Sequence, residues 1–169
     1  ISAFARGLFS PSIPMISGDV SLRIDMSQPA GKLRMQCHLA SPRLRIADIP
    51  AANPLNAENV SAGVQWSGDA VALDSMHVET LGGTLEGSGK LALSEMEMRN
   101  FTVRFQRLDS GQIARFLGIP GKEYSGSFSG RCSASGKIER IETMNATLVV
   151  EVNKAFFHSK PIPDLAAYS

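Results

Sequence analysis

Several places in the chain carry residue types that chemistry uses, and each fails on spacing. Gly89-Lys90 invites a phosphate-binding loop, whose backbone amides and magnesium-binding hydroxyl need the pattern G-x-x-x-x-G-K-[ST]. Thr84 stands where the first glycine belongs, and Leu91 follows the lysine. Gly136-Lys137 fails in the same way, with Arg131 and Ile138 at those places. Gly126-Ser127-Phe128-Ser129-Gly130 has the outline of a nucleophile elbow, but Phe128 occupies the nucleophile position and no helix follows it. His38, His77 and His158 stand singly, without the i, i+4 or short-loop spacing of metal ligands, and read as solvated surface residues. Cys37 and Cys132 each sit inside an alternating strand pattern and read as small buried thiols, with a disulfide left open in an oxidising compartment. No acid, base and nucleophile set stands out, and no catalytic residue, metal or cofactor is expected.

The elements that hold these residues repeat with period two, which places alternate side chains on opposite faces of a β-strand. The 169 residues suffice for one domain with a sizeable core. With 43% hydrophobic and 20% charged residues the chain is neither a disordered tail nor a membrane-spanning protein. Lys and Arg total 17 against 16 Asp and Glu, so no electrostatic case for nucleic acid exists. The chain begins without Met and ends after a strand-like segment, which we read as a piece of a larger protein carrying any signal or anchor outside it.

After Pro11 and Pro14, the residues Val20, Leu22, Ile24 and Met26 share one strand face, and Gln28-Pro-Ala-Gly31 turns into a second strand with Leu33, Met35, Cys37 and Leu39. Ser41-Pro42 is expected to stop that strand, with a short third one at Leu44 and Ile46. A Pro- and Asn-rich connection (Pro50, Asn53, Pro54, Asn56) follows, and alternation resumes from Val60 to Trp66. Ser67-Gly68-Asp69 makes a turn. Val71 and Leu73 then change phase to Met76 and Val78 at Asp74-Ser75, a tight turn or a bulge. Leu85, Gly87, Gly89, Leu91 and Leu93 share one face beyond Leu81-Gly82-Gly83, and the two inner glycines leave a shallow place for another backbone, a side chain or a ligand chain. Met96 and Met98, then Phe101, Val103 and Phe105, continue as further strands. Strands return at Tyr124 to Ile138 and at Ala146 to Val152.

One helix is expected, from about 110 to 117. Asp109 caps it, Gln112 completes a capping box, and Gly118 and Pro120 end it. Ile113, Phe116 and Leu117 form an apolar stripe that lies against the sheet or plugs one end. The Asn-x-Ser/Thr sequences at Asn59, Asn100 and Asn145 read as chance matches.

The run from Trp66-Ser-Gly-Asp-Ala-Val-Ala-Leu through Leu81-Gly-Gly-Thr-Leu-Glu-Gly-Ser-Gly-Lys-Leu-Ala-Leu resembles the repeating unit of AsmA-like proteins, "l-G-G-x-l-x-G-x-G-x-l-x-l". Phe105-Gln-Arg-Leu-Asp-Ser-Gly-Gln-Ile-Ala-Arg-Phe-Leu-Gly is similar to that family's short helix, and Tyr124-Ser-Gly-Ser-Phe-Ser-Gly to its following strand. Ala146-Thr-Leu-Val-Val-Glu-Val to Pro161-Ile and Asp164-Leu also fits. The likeness runs from about Val60 to Leu165 and does not separate the AsmA-like from the TamB-like branch. It implies a β-groove segment of a periplasmic protein anchored in the inner membrane of a Gram-negative envelope and associated with phospholipid movement to the outer membrane. It carries no catalytic residues.

The expected architecture is mainly β: a single domain with an antiparallel, curled sheet, forming a groove or a half-open barrel or sandwich, and one short helix. Residues 1–59 supply N-terminal strands and residues 60–169 the repeat region. The apolar face is expected to hold acyl chains of phospholipid or another lipid on Val71, Leu73, Met76, Val78, Leu85, Leu91, Leu93, Phe101, Val103, Phe105, Phe128, Leu148 and Val150, with adjoining β-repeats as further partners. Nucleic acid is excluded, and membrane contact falls to parts outside the chain. The alternatives are a closed sandwich serving as an assembly scaffold, or pairing its free edge with another strand, and an enzyme such as an esterase or glycosidase.

Overall fold

A computed structural model of the chain describes residues 15–29, 33–47, 53–120, 124–140, 142, 144–157 and 160–161. The period-two segments form strands β1 (Met15–Gly18), β2 (Ser21–Ser27), β3 (Arg34–Ala47), β4 (Leu55–Ser67), β5 (Ala70–Thr80), β6 (Gly83–Ala92) and β7 (Glu97–Asp109). Helix α1 (Ser110–Phe116) comes next, then β8 (Tyr124–Lys137), β9 (Asn145–Phe157) and β10 (Lys160–Pro161). All join one open, curled antiparallel sheet in the order β1-β3-β4-β5-β6-β7-β8-β9-β10, with β2 also paired to β3. The mainly β class with one short helix is as the alternation indicates. Among the described residues no second sheet closes over the first, so the closed sandwich is not formed.

Short connections fix the order. Gly68-Asp69 joins β4 to β5, and Leu81-Gly82 joins β5 to β6 with φ of 50° and 74°. Two positive φ values in a two-residue loop are those of a type I′ turn, whose twist matches that of the flanking strands. Several boundaries differ from the sequence reading: Val20, Leu33 and Ile138 lie just outside strands, and β9 continues past Val152 to Phe157. β3 does not stop at Ser41-Pro42 but runs through to Ala47, because its outer flank changes partner there: β2 pairs with residues 34–40 and β1 with 44–47. A proline lacking an N–H is tolerated in that gap, and the buried Ser41 hydroxyl closes it with hydrogen bonds to Asp19 O at 2.6 Å and Arg43 O at 2.9 Å. β4 begins at Leu55 and includes Asn56, five residues before the expected Val60. Met96 belongs to the turn before β7 rather than to a strand. The lead-in at Pro11 and Pro14, the turn residues Ala30 and Gly31, Pro50, His158 and the segment after Pro161 lie outside the described residues.

The strands are long, and each lapse in their phase is a bulge. The pairings shift at Asn59 in β4, at Asp74 in β5, at Asn100 and Arg107 in β7 and at Lys154 in β9. Asn59, Asn100, Arg107 and Lys154 have φ between 47° and 54°, left-handed backbone that asparagine enters more readily than other non-glycine residues. A bulge adds one residue, so the next apolar side chain returns to the same face after a step of three instead of two. Leu73 to Met76, Met98 to Phe101 and Phe105 to Leu108 are such steps. Bulges also increase local twist and bend the strand, which curls an open sheet.

α1 sits at the end of the sheet that carries the β5–β6 turn. Asp109 accepts a hydrogen bond from the Gln112 N–H at 2.7 Å, as expected of a cap. Its own N–H donates to Leu81 O at 2.8 Å, so the reciprocal half of the capping box is replaced by a tie to the turn. The C-terminus closes as a Schellman motif, with Gly118 N–H on Arg115 O and Ile119 N–H on Ala114 O. The helix packs on β7 and β8 through the buried small residues Ser110, Gly111 and Ala114. Ile113 and Phe116 are half-buried and Leu117 is exposed, so the apolar stripe is not the packed face. No helix among the described residues is long and apolar enough to cross a membrane.

Candidate functional site

Residues paired directly across an antiparallel ladder point to the same face of the sheet. Following the pairs across the strands therefore shows what each face is made of. One row runs Leu22 to Leu39, Ala62, Met76, Gly87, Val103, Cys132 and Leu148. A second runs Met26 to Met35, Trp66, Val71, Leu91, Met98 and Gly136. These rows form one apolar face continuous from β2 to β9.

Val71, Leu73, Met76, Val78, Leu85, Leu91, Phe101, Val103, Phe105, Phe128, Leu148 and Val150 all fall on that face. Leu93 does not join them in a ladder; it lies past the end of β6, in the Leu93–Met96 turn, with its N–H on Asp69 O. The same face also includes Leu22, Ile24, Met26, Met35, Val64 and Trp66, whose alternation marks the face of each strand but not the pairing that joins them to the later strands.

Nothing among the described residues covers this face. The residues of its central strands are half-buried by their neighbours, while Leu22 is 58% exposed, Met26 67% and Leu148 65%. The most buried apolar residues are Ala57 and Ala114, both small. A folded chain normally hides a large part of its big apolar side chains; here none among the described residues is fully buried.

The inner glycines do not leave room for a ligand. A Cβ on Gly89 would stand 2.7 Å from Phe101 Cδ2, on Gly87 3.0 Å from Met76 Cε, and on Gly130 2.6 Å from Phe105 Cζ. Neighbouring side chains already occupy the shallow places, so Phe101 and Phe105 lie across the adjacent strands and smooth the surface. At Gly87 and Gly89 the nearest neighbour is a side chain, and at Gly130 the Val149 backbone oxygen comes closer still, at 2.1 Å.

The opposite face is polar and carries the ions. His77 lies 3.8 Å from both Glu79 and Glu86, and Glu86 is paired across the ladder with Arg104. Arg99 binds Glu97 at 2.6 Å and Glu95 at 2.7 Å, and its hydrogen bond holds the Glu97 carboxyl below the ordinary carboxylate range. Lys90 is exposed on the same side within β6, away from any loop that could cradle a phosphate. Phe128 lies in the middle of β8, so Gly126–Gly130 forms strand and not an elbow.

Cys37 and Cys132 are free thiols on β3 and β8, half-buried on the apolar face. Among the described residues no three His, Cys, Asp or Glu come together as metal ligands, and no buried side-chain polar atom lacks a hydrogen-bond partner. A hollow of about 610 Å3 lies beside the C-terminal end of α1, lined by Asn53, Gln112, Arg115 and Phe116 among others, and includes none of the apolar-face residues named above. The arrangement offers non-directional contact on one side and solvated charge on the other. No family model, curated protein or solved structure matches the chain.

Proposed function

We propose that the chain is a β-groove segment that binds lipid acyl chains along its apolar face while the headgroups stay at the open edges. The single observation that supports this most is the uncovered apolar face running from β2 to β9. A CH2 fully withdrawn from water gains roughly 0.8 kcal/mol, and one lying on an open face gains the fraction of this that the face covers. Among the described residues no buried polar side-chain atom lacks a partner, so an acyl chain is held by area and not by direction, and moving past successive strands breaks no hydrogen bond. The resemblance of residues 60–165 to AsmA-like proteins supports the further part of the proposal, that the segment belongs to a periplasmic protein anchored elsewhere to the inner membrane and serving phospholipid transport to, or homeostasis of, the outer membrane. A scaffold role in outer-membrane assembly, of the TamB-like kind, is the second reading, and the outer flank of β9, unpaired over residues 145–153 among the described residues, favours it.

Native mass spectrometry of the chain purified from cells without detergent tests the proposal. Phospholipid adducts are expected, and Ile24→Asp or Leu148→Asp, both at partly exposed positions, is expected to weaken lipid retention about tenfold. Gln65→Asp, on the polar face, is expected to leave it unchanged. A lipid-free protein that also binds no apolar dye overturns the reading.

A further inference from the structure

The polar face carries charge of both signs, and much of it is matched. Arg23 pairs with Asp25, Arg43 with Glu58, Arg99 with Glu95 and Glu97, and His77 stands between Glu79 and Glu86. One place on this face differs. The β7–β8 register sets Arg104 directly opposite Arg131, which brings their Cβ atoms to within about 4.5–5.5 Å of each other. Like charges in that relation repel, so the pair by itself weakens the sheet.

The flanking strands do not neutralise it. Glu86 is the ladder partner of Arg104 on β6, but its carboxylate turns to His77 at 3.8 Å. Val149, the ladder partner of Arg131 on β9, is apolar. Among the described residues neither guanidinium makes an ion pair or a side-chain hydrogen bond, and both residues are exposed.

Along each strand the neighbours on the same face are hydroxyls. Side chains two residues apart share a face, so Thr102 stands beside Arg104, and Ser129 and Ser133 stand on either side of Arg131, all three half-buried. Thr102 and Ser133 are themselves paired across the ladder. Ser129 Oγ accepts the Arg107 N–H at 3.0 Å, which holds the hydroxyl in place and leaves its proton to donate. Glu86 and Glu151, across from Arg104 and Ser129, bound this patch of donors.

The geometry points to a binding site for a phosphoryl group, held by the Arg104 and Arg131 guanidiniums and bordered by the Thr102, Ser129 and Ser133 hydroxyls. A carboxylate has two oxygens and satisfies one guanidinium fork, whereas a tetrahedral phosphoryl group presents an oxygen edge to each of two forks. Its negative charge also offsets the repulsion that the register imposes. The site lies on the side of the sheet away from the acyl-binding face and stands whether or not that face holds lipid. Inorganic phosphate and a phosphate headgroup at a lipid surface share this chemistry.

An NMR titration of the 169-residue chain with inorganic phosphate, at ionic strength held constant with sodium chloride, tests the site. Saturable shifts of the Arg104 and Arg131 side-chain Nε–H signals are expected in the millimolar range, and Arg131→Gln should weaken binding about tenfold. Arg131→Lys, which keeps the charge and loses the fork, should weaken it about threefold, whereas Arg45→Gln, which removes a cation of the same face on β3, should leave it unchanged. Circular dichroism should report the parent fold for each variant, because these arginines are exposed. Co-sedimentation with vesicles of phosphatidylcholine and phosphatidic acid, absent with phosphatidylcholine alone and lost in Arg131→Gln, assigns the group to a lipid headgroup; phosphate binding without such co-sedimentation assigns it to free phosphate. If phosphate does not saturate and no vesicle binding depends on Arg131, or if Arg131→Gln binds as the parent does, the inference is overturned.

Discussion

Phe101, Phe105 and Met76 do the work that the glycines beneath them make possible. Their side chains reach across the ladder onto Gly89, Gly130 and Gly87, so the cost of adding a methyl group depends on what it would strike. On Gly87 it meets the flexible end of Met76 at 3.0 Å, on Gly89 both the ring of Phe101 and its Cα at 3.1 Å, and on Gly130 the backbone oxygen of Val149 at 2.1 Å. The expected order of destabilisation is therefore Gly87→Ala below about 1 kcal/mol, Gly89→Ala at about 1–3 kcal/mol and Gly130→Ala largest. Urea unfolding midpoints check it; equal effects at the three sites would contradict the packing described. The glycines themselves are plain in the sequence, but what lies over them is not. The Phe101–Gly89 contact depends on cross-strand register, which one strand's alternation does not specify.

Elements were legible to the extent that their signals are local. The Asp109 cap and the Gly118 stop depend on neighbouring residues and fall where the sequence places them. The continuation of β3 through Pro42 depends on β1 and β2 changing places along its flank, and the missing half of the capping box depends on Leu81; both are tertiary events. Asn59 and Asn100 look like glycosylation motifs in the sequence, whereas in the sheet each supplies the left-handed residue of a bulge. Asn100→Val should therefore cost roughly 1–2 kcal/mol, since a β-branched side chain clashes at φ of 52°. Asn100→Gly should stay within about 0.5 kcal/mol of the parent, relief of backbone strain offsetting added chain entropy. Chemical denaturation of the two variants checks the bulge, and a tolerated valine would show that left-handed backbone is not needed there.

The molecule is one curled sheet with a polar side and an apolar side, and among the described residues the apolar side has no second layer. Its extent is only half legible in the sequence: alternation marks the apolar face of each strand, while the pairings that carry β2 to β4 into the same surface depend on the strand order. The proposal that acyl chains lie on this face is tested most directly by photo-crosslinking with a phospholipid carrying a diazirine in its acyl chain. Mass spectrometry of the labelled peptides should place adducts on Val71, Leu91 and Phe105, and spare their neighbours Ala72, Lys90 and Arg104 on the polar side. Labels spread equally over both sets, or absent from the sheet, would contradict an acyl-binding apolar face.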